Sequence, residues 1–591
     1  MSVDTRNLLL GVLVTLGTML VAWPFAEGGY IDDFSYIHMA KTLAETGRFA
    51  YNGWPTAMLG IQVWWGAAWV WLFGFSFAIV RLSVWPLALG AVAMVYLLAR
   101  RARLTPTDSL FAALLTGMSP HFILNAPAFM TDAPGLFFLF ACLYAFARAV
   151  EDAEQVPAHS SRALAWLVVG MLCGVLGGTI RQTVWFAPLA GAAVLFLWPG
   201  VSKRMRLAAF VCGAVGLACI VVGIRWFNSQ PYAIPTRLPA HTALGIADLV
   251  SVTRTMAAGV LTAMMPMFFY RLAALRRWRR EQLPWLGNSA AVDLIVLLAV
   301  AWVLFPATVV GGFAVLSEAI PGVEPAAWLL QGLRKFLMLL LALLVMATVL
   351  RQRGVILSAV RRVPPAIVIP IVYLLPYSAA VMQASRMIGD LYPRYYLPYV
   401  PLLACAVLWG VRATFTTAVD RRIAIVGWVW LAVVALPEVR NLHHMFADCR
   451  ARLAAISYLE SNGVTRDRIM AGWQIDGWEQ IERVGYLNDP RIRVPRGAFK
   501  PLKPDGYPKQ LMLRDRMSAL TPEYIVTDDP NRFPGDGTPF PRFPYTSWWP
   551  PYRREIVICH QVQRTIPKSP GVPATNVPAT NVPATNVPAT K

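Results

Sequence analysis

Three carboxylates and several arginines stand at the ends of apolar runs, where an ionisable group is costly and therefore informative. The stretch GGYIDDFSYIHMAKTLAETG, residues 28–47, puts Asp32 and Asp33 where a first apolar run closes. One of the pair suffices to cap a helix that begins at Phe34 and stops at Gly47. The other is then a second negative charge at the edge of a bilayer. In NAPAFMTDAPGLFFLF, residues 125–140, Asp132 opens another apolar run with Pro134 in the first turn, which taken alone is an N-cap arrangement. Positive charge at similar boundaries comes from Arg181 in GGTIRQTVW, from Arg386 and Arg394 in QASRMIGDLYPRYYLPYVPLL, and from Arg334 with Lys335. A carboxylate beside a weak nucleophile can serve as a general base. Guanidinium groups suit a phosphate at a membrane surface, although each one singly also reads as a snorkelling anchor.

Whether these groups can meet depends on which face of the membrane each occupies. The 591-residue chain is 57% hydrophobic and only 14% charged, against about a quarter charged for a soluble domain. Apolar runs fall at 7–26, 81–99, 108–126, 133–149, 163–180, 182–198, 207–226, 257–274, 292–316, 332–350, 364–382, 396–412 and 423–440. The class is a polytopic α-helical membrane protein with about 13 crossings. The first run has Arg6 ahead of it and small residues Ala22 and Ala26 near its end, but it is long for a signal peptide and lacks a convincing cleavage site, so an uncleaved anchor is expected.

The net charge of +21 is concentrated in short joints: Arg100, Arg101 and Arg103; Lys203, Arg204 and Arg206; Arg271 to Arg280; Arg351 to Arg362; Arg412, Arg421 and Arg422. Started from the inside, the trace puts every one of these joints on the cytoplasmic side, as the positive-inside rule requires. Nucleic acid is thereby a poor partner, because the charge is spread along a membrane surface. The same trace puts Asp32, Asp33, Asp132, Arg181, Arg386 and Arg394 on the outer face. Arg334 and Lys335 join them there, against the basic pattern.

Three regions follow: a transmembrane domain at 1–440 with an outer first loop at 27–80, an extracytoplasmic domain at 441–563, and a disordered tail at 564–591. The middle region begins with a helical pattern over 447–463 and continues with the strand-like DRIMAGW, EYIVTDD and REIVICH, a small soluble α/β domain. The Pro-rich stretch RFPGDGTPFPRFPYTSWWPPYRR between them reads as irregular loop. Cys449 and Cys559 are the cysteines of this domain and form a disulfide candidate on an oxidising face. Cys142, Cys173, Cys212, Cys219 and Cys405 fall in apolar runs as packing residues. No CxxC or HExxH pattern indicates a zinc site. The tail VPATNVPATNVPATNVPATK has no bulk to pack.

With its order of motifs, the chain resembles the GT-C glycosyltransferases, and among them the bacterial protein-mannosyltransferase-like group that includes lipid A aminoarabinose transferase. DDFSYIHMAKTLAETG is similar to that family's first outer loop, with Asp32, Asp33, Tyr36 and Gly47 on the pattern. MTDAPGLFFLF resembles the second acidic motif at Asp132, GGTIRQTVWFAPLA the Gly-rich basic segment at Arg181, and PRYYLPYVPLLA the late motif at Arg394, Tyr395 and Pro398. The resemblance covers about the first 440 residues. It implies a GT-C fold and transfer of a sugar from a polyprenyl-phosphate carrier to a glycan, lipid or protein acceptor outside the cytoplasmic membrane. It aligns Asp32 with the catalytic base. Asp33 would orient the base or the acceptor, and Asp132 would position a cation or a basic side chain. Arg181, Arg394, Tyr395, Lys335, Arg334 and Arg386 would receive the lipid phosphate, with Tyr36 and His38 lining the site. Inversion is the simpler stereochemical outcome. These residues leave metal dependence open, since Asp32 and Asp132 could hold a divalent cation. His38 and His121 are further candidate ligands, although a lone histidine near an interface more often serves as an anchor. The competing class is a flippase or transporter of lipid-linked sugar. Against it, the halves of the chain show no inverted repeat and the charges collect at one face.

Overall fold

The computed structural model describes residues 1–154, 160–235, 256, 259–261, 263–271, 362–388, 392–414, 421–501, 515–532, 537–546 and 553–560. The expected spans at 292–316 and 332–350, part of that at 257–274, Arg334, Lys335 and the tail at 564–591 lie outside these residues.

In chain order, α1 (Val3–Val21) leads to two short helices, α2 (Asp33–Thr46) and the aromatic α3 (Gly60–Phe73), then to α4 (Phe77–Arg101). The run expected at 108–126 is broken into α5 (Pro106–Gly117) and α6 (Pro120–Asn125). There follow α7 (Asp132–Glu154), α8 (Ser160–Ile180), a 3-10 turn at Gln182–Trp185, α9 (Phe186–Leu197) and α10 (Lys203–Ser229). After the undescribed stretch come α11 (Pro365–Ile388), a 3-10 turn at Pro393–Tyr396, α12 (Tyr399–Thr414) and α13 (Arg421–Ser461).

Among the described residues, eight helices are long and apolar enough to cross a membrane, and they coincide with eight of the expected runs. The chain is a multi-pass helical membrane protein. The run at 182–198 is helical over Gln182–Leu197, its first turn being 3-10 and the other 12 residues α9. In α8, a Cβ at Gly170 would stand 2.8 Å from Phe146 and one at Gly174 2.5 Å from Pro188. Small residues there let α8 close on α7 and α9, the usual device where lipid removes a hydrophobic drive between helices.

The break between α5 and α6 follows from local chemistry. Pro120 sits in the first turn of α6, and the Ser119 hydroxyl accepts from the Phe122 N–H at 3.3 Å. Carbonyls freed in the following turn are recovered by side chains. Gln62 Nε2 donates to Phe129 O at 3.1 Å, Trp85 Nε1 to Pro127 O at 3.3 Å, and Tyr30 Oη to Leu124 O at 3.1 Å. Irregular backbone at this depth is tolerated because protein covers it.

Among the described residues, Arg100, Arg101, Arg103, Arg271 and Arg412 of the basic joints gather at one end of the bundle. Arg100 Nε meets Asp4 Oδ1 at 2.7 Å, Arg101 meets Glu151 at 3.3 Å, and Arg271 meets Asp108 at 2.6 Å. Arg412 Nη1 donates to Arg103 O at 2.7 Å. The carboxylates singled out in the sequence stand at the opposite end.

The C-terminal region departs from the sequence reading in three places. α13 is a single helix of 41 residues that runs straight through the boundary expected at 440. Pro437 lies inside it. Beyond it, β1 (Ile469–Met470), α14 (Trp473–Val484), β2 (Tyr524–Thr527), β3 (Phe543–Thr546) and β4 (Arg553–His560) form a sheet in the order β1-β2-β4-β3. β1 and β2 are parallel across the α14 crossover, with Ile469 opposite Tyr524, while the other pairs are antiparallel. β3 comes from the Pro-rich stretch read as loop. It is an edge strand with Pro544 exposed, a position where a missing N–H costs no ladder bond. Ile469, Val526, Ile556 and Ile558 pack beneath Ala455 and Leu459 of α13. Cys449 and Cys559 are both free thiols, which corrects the disulfide expectation. The first packs against Gly28 of the α1–α2 linker, and the second lies on β4 opposite Ile525.

Candidate active site

The doubled acid splits into two environments. Asp33 is 0% exposed and is gripped by Arg81, 2% exposed, through Nε–Oδ2 at 2.7 Å and Nη2–Oδ1 at 3.2 Å. The Tyr30 N–H adds a bond to Oδ1 at 2.7 Å. Arg81 also donates to the carbonyls of Ala26 and Gly28, and its guanidinium lies between the rings of Phe77 and Phe446 at 5.5 and 5.1 Å. Glu27 accepts from the Phe77 N–H at 2.8 Å, tying the same linker to the start of α4. Asp33 therefore has no surface for an acceptor, which corrects that half of its expected role. What it holds is the backbone from which Asp32 projects.

Asp32 occupies the N-cap position of α2, yet its side chain makes no capping bond. Instead, Trp54 Nε1 donates to Oδ1 at 3.1 Å and Arg394 Nη1 donates to Oδ2 at 3.1 Å. The capping reading thus fails for both acids, because stronger donors take their oxygens.

Asp132 is the first residue of α7 rather than its cap, and its Oδ1 is paired with Arg181. Its Oδ2 is buried without a hydrogen-bond partner among the described residues. Arg181 is the extended residue between α8 and the 3-10 turn, φ −138°, and its side chain lies beside Gly135 in the first turn of α7. Its guanidinium lies over the Tyr395 ring at 5.1 Å, and that of Arg394 over Tyr392 at 4.9 Å. A narrow cleft is lined by Asp132, Arg181, Thr183, Tyr373, Arg394 and Pro398. The Tyr373 hydroxyl is buried there and likewise lacks a partner among the described residues. Tyr36 is buried in the field of Asp32, Arg394, Asp132 and Arg181. Burial, with Asp32 adding to it, pushes its phenol far above the ordinary tyrosine range, so it stays protonated.

Asp32, Asp132, Arg181, Arg394, Tyr395 and Tyr36 thus come together. His38 does not join them: its ring meets Trp478 edge-on at 5.3 Å and Thr42 at 3.3 Å, with Glu482 at 3.9 Å. His121 stands beside Tyr396, ring to ring at 5.7 Å. Arg386 falls in α11 with its side chain outside the described residues. Arg81, Trp54 and Tyr373 were not foreseen. Arg81 had a signal, since it is the sole charge between Arg48 and Arg100. A lone arginine in so apolar a stretch demands a buried partner.

The donor set speaks against a cation between Asp32 and Asp132. Each carboxylate already carries a guanidinium, so a divalent ion placed between them would face two positive charges. Among the described residues, no group of three His, Cys, Asp or Glu could hold a metal. Two arginines over aromatic rings around a cleft fit an anion instead.

Residues 61–226, which carry Asp132 and Arg181, match the family model of dolichyl-phosphate-mannose-protein mannosyltransferases. A search of curated proteins finds no match. Among solved structures, the chain is similar to ArnT from Cupriavidus metallidurans in the apo state, at 13% identity over 94% of this chain and 98% of that one, TM-score 0.40. It is similar to the Archaeoglobus fulgidus oligosaccharyltransferase tethered with an acceptor peptide, at 13% identity over 88% of this chain and 63% of that one, TM-score 0.43. It is also similar to the S. cerevisiae protein O-mannosyltransferase Pmt1-Pmt2 complex bound to the sugar donor, at 17% identity over 39% of this chain, TM-score 0.32. That match spans 34% of the yeast chain, about a third of its length.

Proposed function

Taking residues 61–226 as those of a GT-C membrane glycosyltransferase, we propose that the chain transfers a sugar from a polyprenyl-phosphate carrier to an acceptor hydroxyl at the outer face of the cytoplasmic membrane. The observation that carries this is the cleft in which Arg394 stands between Asp32 and the Asp132–Arg181 pair. The outer placement rests on the basic joints gathering at the opposite end.

In this reading the lipid phosphate enters the cleft and draws Arg394 and Arg181 to its oxygens. Arg394 then relaxes its hold on Asp32 Oδ2, which leaves that oxygen free to take a proton. The acceptor hydroxyl gives its proton to Asp32 as its oxygen bonds to the anomeric carbon. The bond from that carbon to the phosphate oxygen breaks on the opposite side, so the configuration inverts. Polyprenyl phosphate departs with its added negative charge on the two guanidinium groups. Asp132 keeps Arg181 oriented, and its free Oδ2 and the Tyr373 hydroxyl are left to the sugar or the phosphate.

The test mixes purified protein with polyprenyl-phosphate sugars and candidate acceptors, comparing native chain with Asp32→Asn. Transfer by the native chain and its loss in the variant is the expected pair. Movement of lipid across vesicles with the sugar never transferred would mean a flippase. Full transfer by Asp32→Asn would remove Asp32 as the base.

A further inference from the structure

The soluble domain reaches the base through one indole. Trp54, in the loop between α2 and α3, donates Nε1–H to Asp32 Oδ1 at 3.1 Å. Its ring packs against Trp473, the first residue of α14, with centroids 4.8 Å apart. The guanidinium of Arg516 covers both rings, at 5.7 Å from Trp54 and 5.9 Å from Trp473. Arg516 is itself held toward the fully buried Asp489 at 3.6 Å.

The loop that carries Trp54 is clamped on both sides. Asn52 Nδ2 donates to Ser35 O at 2.9 Å and its Oδ1 accepts from the Ser35 hydroxyl at 2.7 Å, binding the loop to α2. From the soluble domain, the Leu487 N–H donates to Asn52 O at 2.9 Å. Gly53 has φ +76°, and a Cβ there would run into the Leu487 carbonyl, so the two backbones touch where a side chain cannot fit. The loop has little freedom to turn Trp54 elsewhere.

We infer that Trp54 is a positioning residue for Asp32, and that Trp473 and Arg516 of the soluble domain hold its indole in place. Each Asp32 oxygen is held by one of two donors: Arg394 takes Oδ2 and Trp54 takes Oδ1. In the reading above, the phosphate draws Arg394 away, and the Trp54 N–H then becomes the bond that keeps the carboxylate facing the acceptor. An indole N–H is a donor only, so it orients the base without competing for the proton. The inference rests on Asp32 as the base, and the two measurements below separate its failure from the failure of that reading.

The first is kinetic. Trp54→Phe keeps an aromatic face on Trp473 and removes only the N–H. It should lower kcat by about 10- to 100-fold, the range for losing a hydrogen bond to a charged group, with the donor KM unchanged. Trp473→Ala, which touches neither Asp32 nor donor, should lower kcat in the same direction, and Trp473→Phe should restore most of it. The double variant Trp54→Phe/Trp473→Ala should be no slower than the slower single, because both act through one bond. Wild-type kcat in Trp54→Phe, or simple multiplication of the two effects, overturns the proposal.

The second needs no turnover. Carbodiimide labelling of Asp32, read by mass spectrometry, reports how firmly the carboxylate is held. Trp54→Phe and Trp473→Ala should each raise Asp32 labelling several-fold and leave Asp132 unchanged. Unaltered Asp32 labelling overturns the coupling whether or not the chain transfers sugar. Raised labelling in a chain that transfers nothing would keep the coupling and remove the proposed function.

Discussion

Arg394 and Asp32 meet at 3.1 Å across 362 residues of chain. With 24% and 18% of their side chains exposed, the pair is reachable from outside. The adjacent pair, Arg81 with Asp33, is sealed at 2% and 0%. Two neighbouring aspartates thus have opposite consequences when neutralised. Asp32→Asn should lower turnover by about 10²–10⁴ and leave the melting temperature nearly unchanged. Asp33→Asn should instead cost about 3–5 kcal/mol of stability, because it strands the Arg81 charge in a buried site. Thermal-shift measurements beside transfer assays on both variants decide this. Equal losses of stability would show that the split is wrong.

Arg181 and Arg394 are assigned to the departing phosphate. Each alanine substitution should lower the rate by about 10²–10³, the effect of removing one preorganised donor at developing charge. Arg181→Lys should recover only part of it, since lysine cannot supply a planar fork over the Tyr395 ring. Steady-state kinetics with varied donor provide the check, and an Arg181→Ala variant at native rate would take Arg181 out of the site.

His38 gives the contact between α2 and α14 a pH dependence. Its burial against Trp478 holds the imidazole down to about 4, with Glu482 pulling it up and Lys41 pushing it down. An undocked His38 protonates near its ordinary value of 6.5, so between about 6.5 and 4 the undocked state binds more protons. The contact is therefore strongest above pH 6.5 and weakens as pH falls through that window. Hydrogen exchange at pH 7.5 and 5.0, corrected for intrinsic rates, should show lost protection in α2 and α14. His38→Phe should abolish the difference.

All seven cysteines are free, including Cys449 of α13 and Cys559 of β4. Alkylation of the unfolded chain without reductant should modify every one, as intact mass will show. Reductant should leave the melting temperature where it is. A species two mass units lighter with two unmodified cysteines would restore the disulfide expectation.

Much of the site was legible because a membrane makes charge conspicuous. Asp132, Arg181 and Arg394 end apolar runs, and counting crossings put them on one face with Asp32. The roles of the two adjacent acids were not legible, because Arg81 lies 48 residues from Asp33 and nothing local announces the pairing. Trp54 was invisible for another reason. One more tryptophan among 22 carries no charge or spacing signal, and its partner across the ring comes from the far end of the chain. In the C-terminal sheet, β1, β2 and β4 showed the short β-rich runs of strands. β3 did not, because Phe543–Pro544 reads as a breaker unless one knows that the strand lies at a sheet edge.

α13 makes the whole arrangement a matter of angular phase. Its 41 residues span about 60 Å at 1.5 Å each. Along that rod Phe446 stacks on Tyr30 at 4.9 Å, Arg450 donates to Phe25 O at 2.7 Å, and Arg452 reaches Val526 O at 2.9 Å. One continuous screw thus indexes both the linker before Asp32 and the sheet behind Trp473. A single residue inserted into it rotates everything beyond by about 100°. The sheet and α14 would arrive facing the wrong way, with Trp473 carried off Trp54.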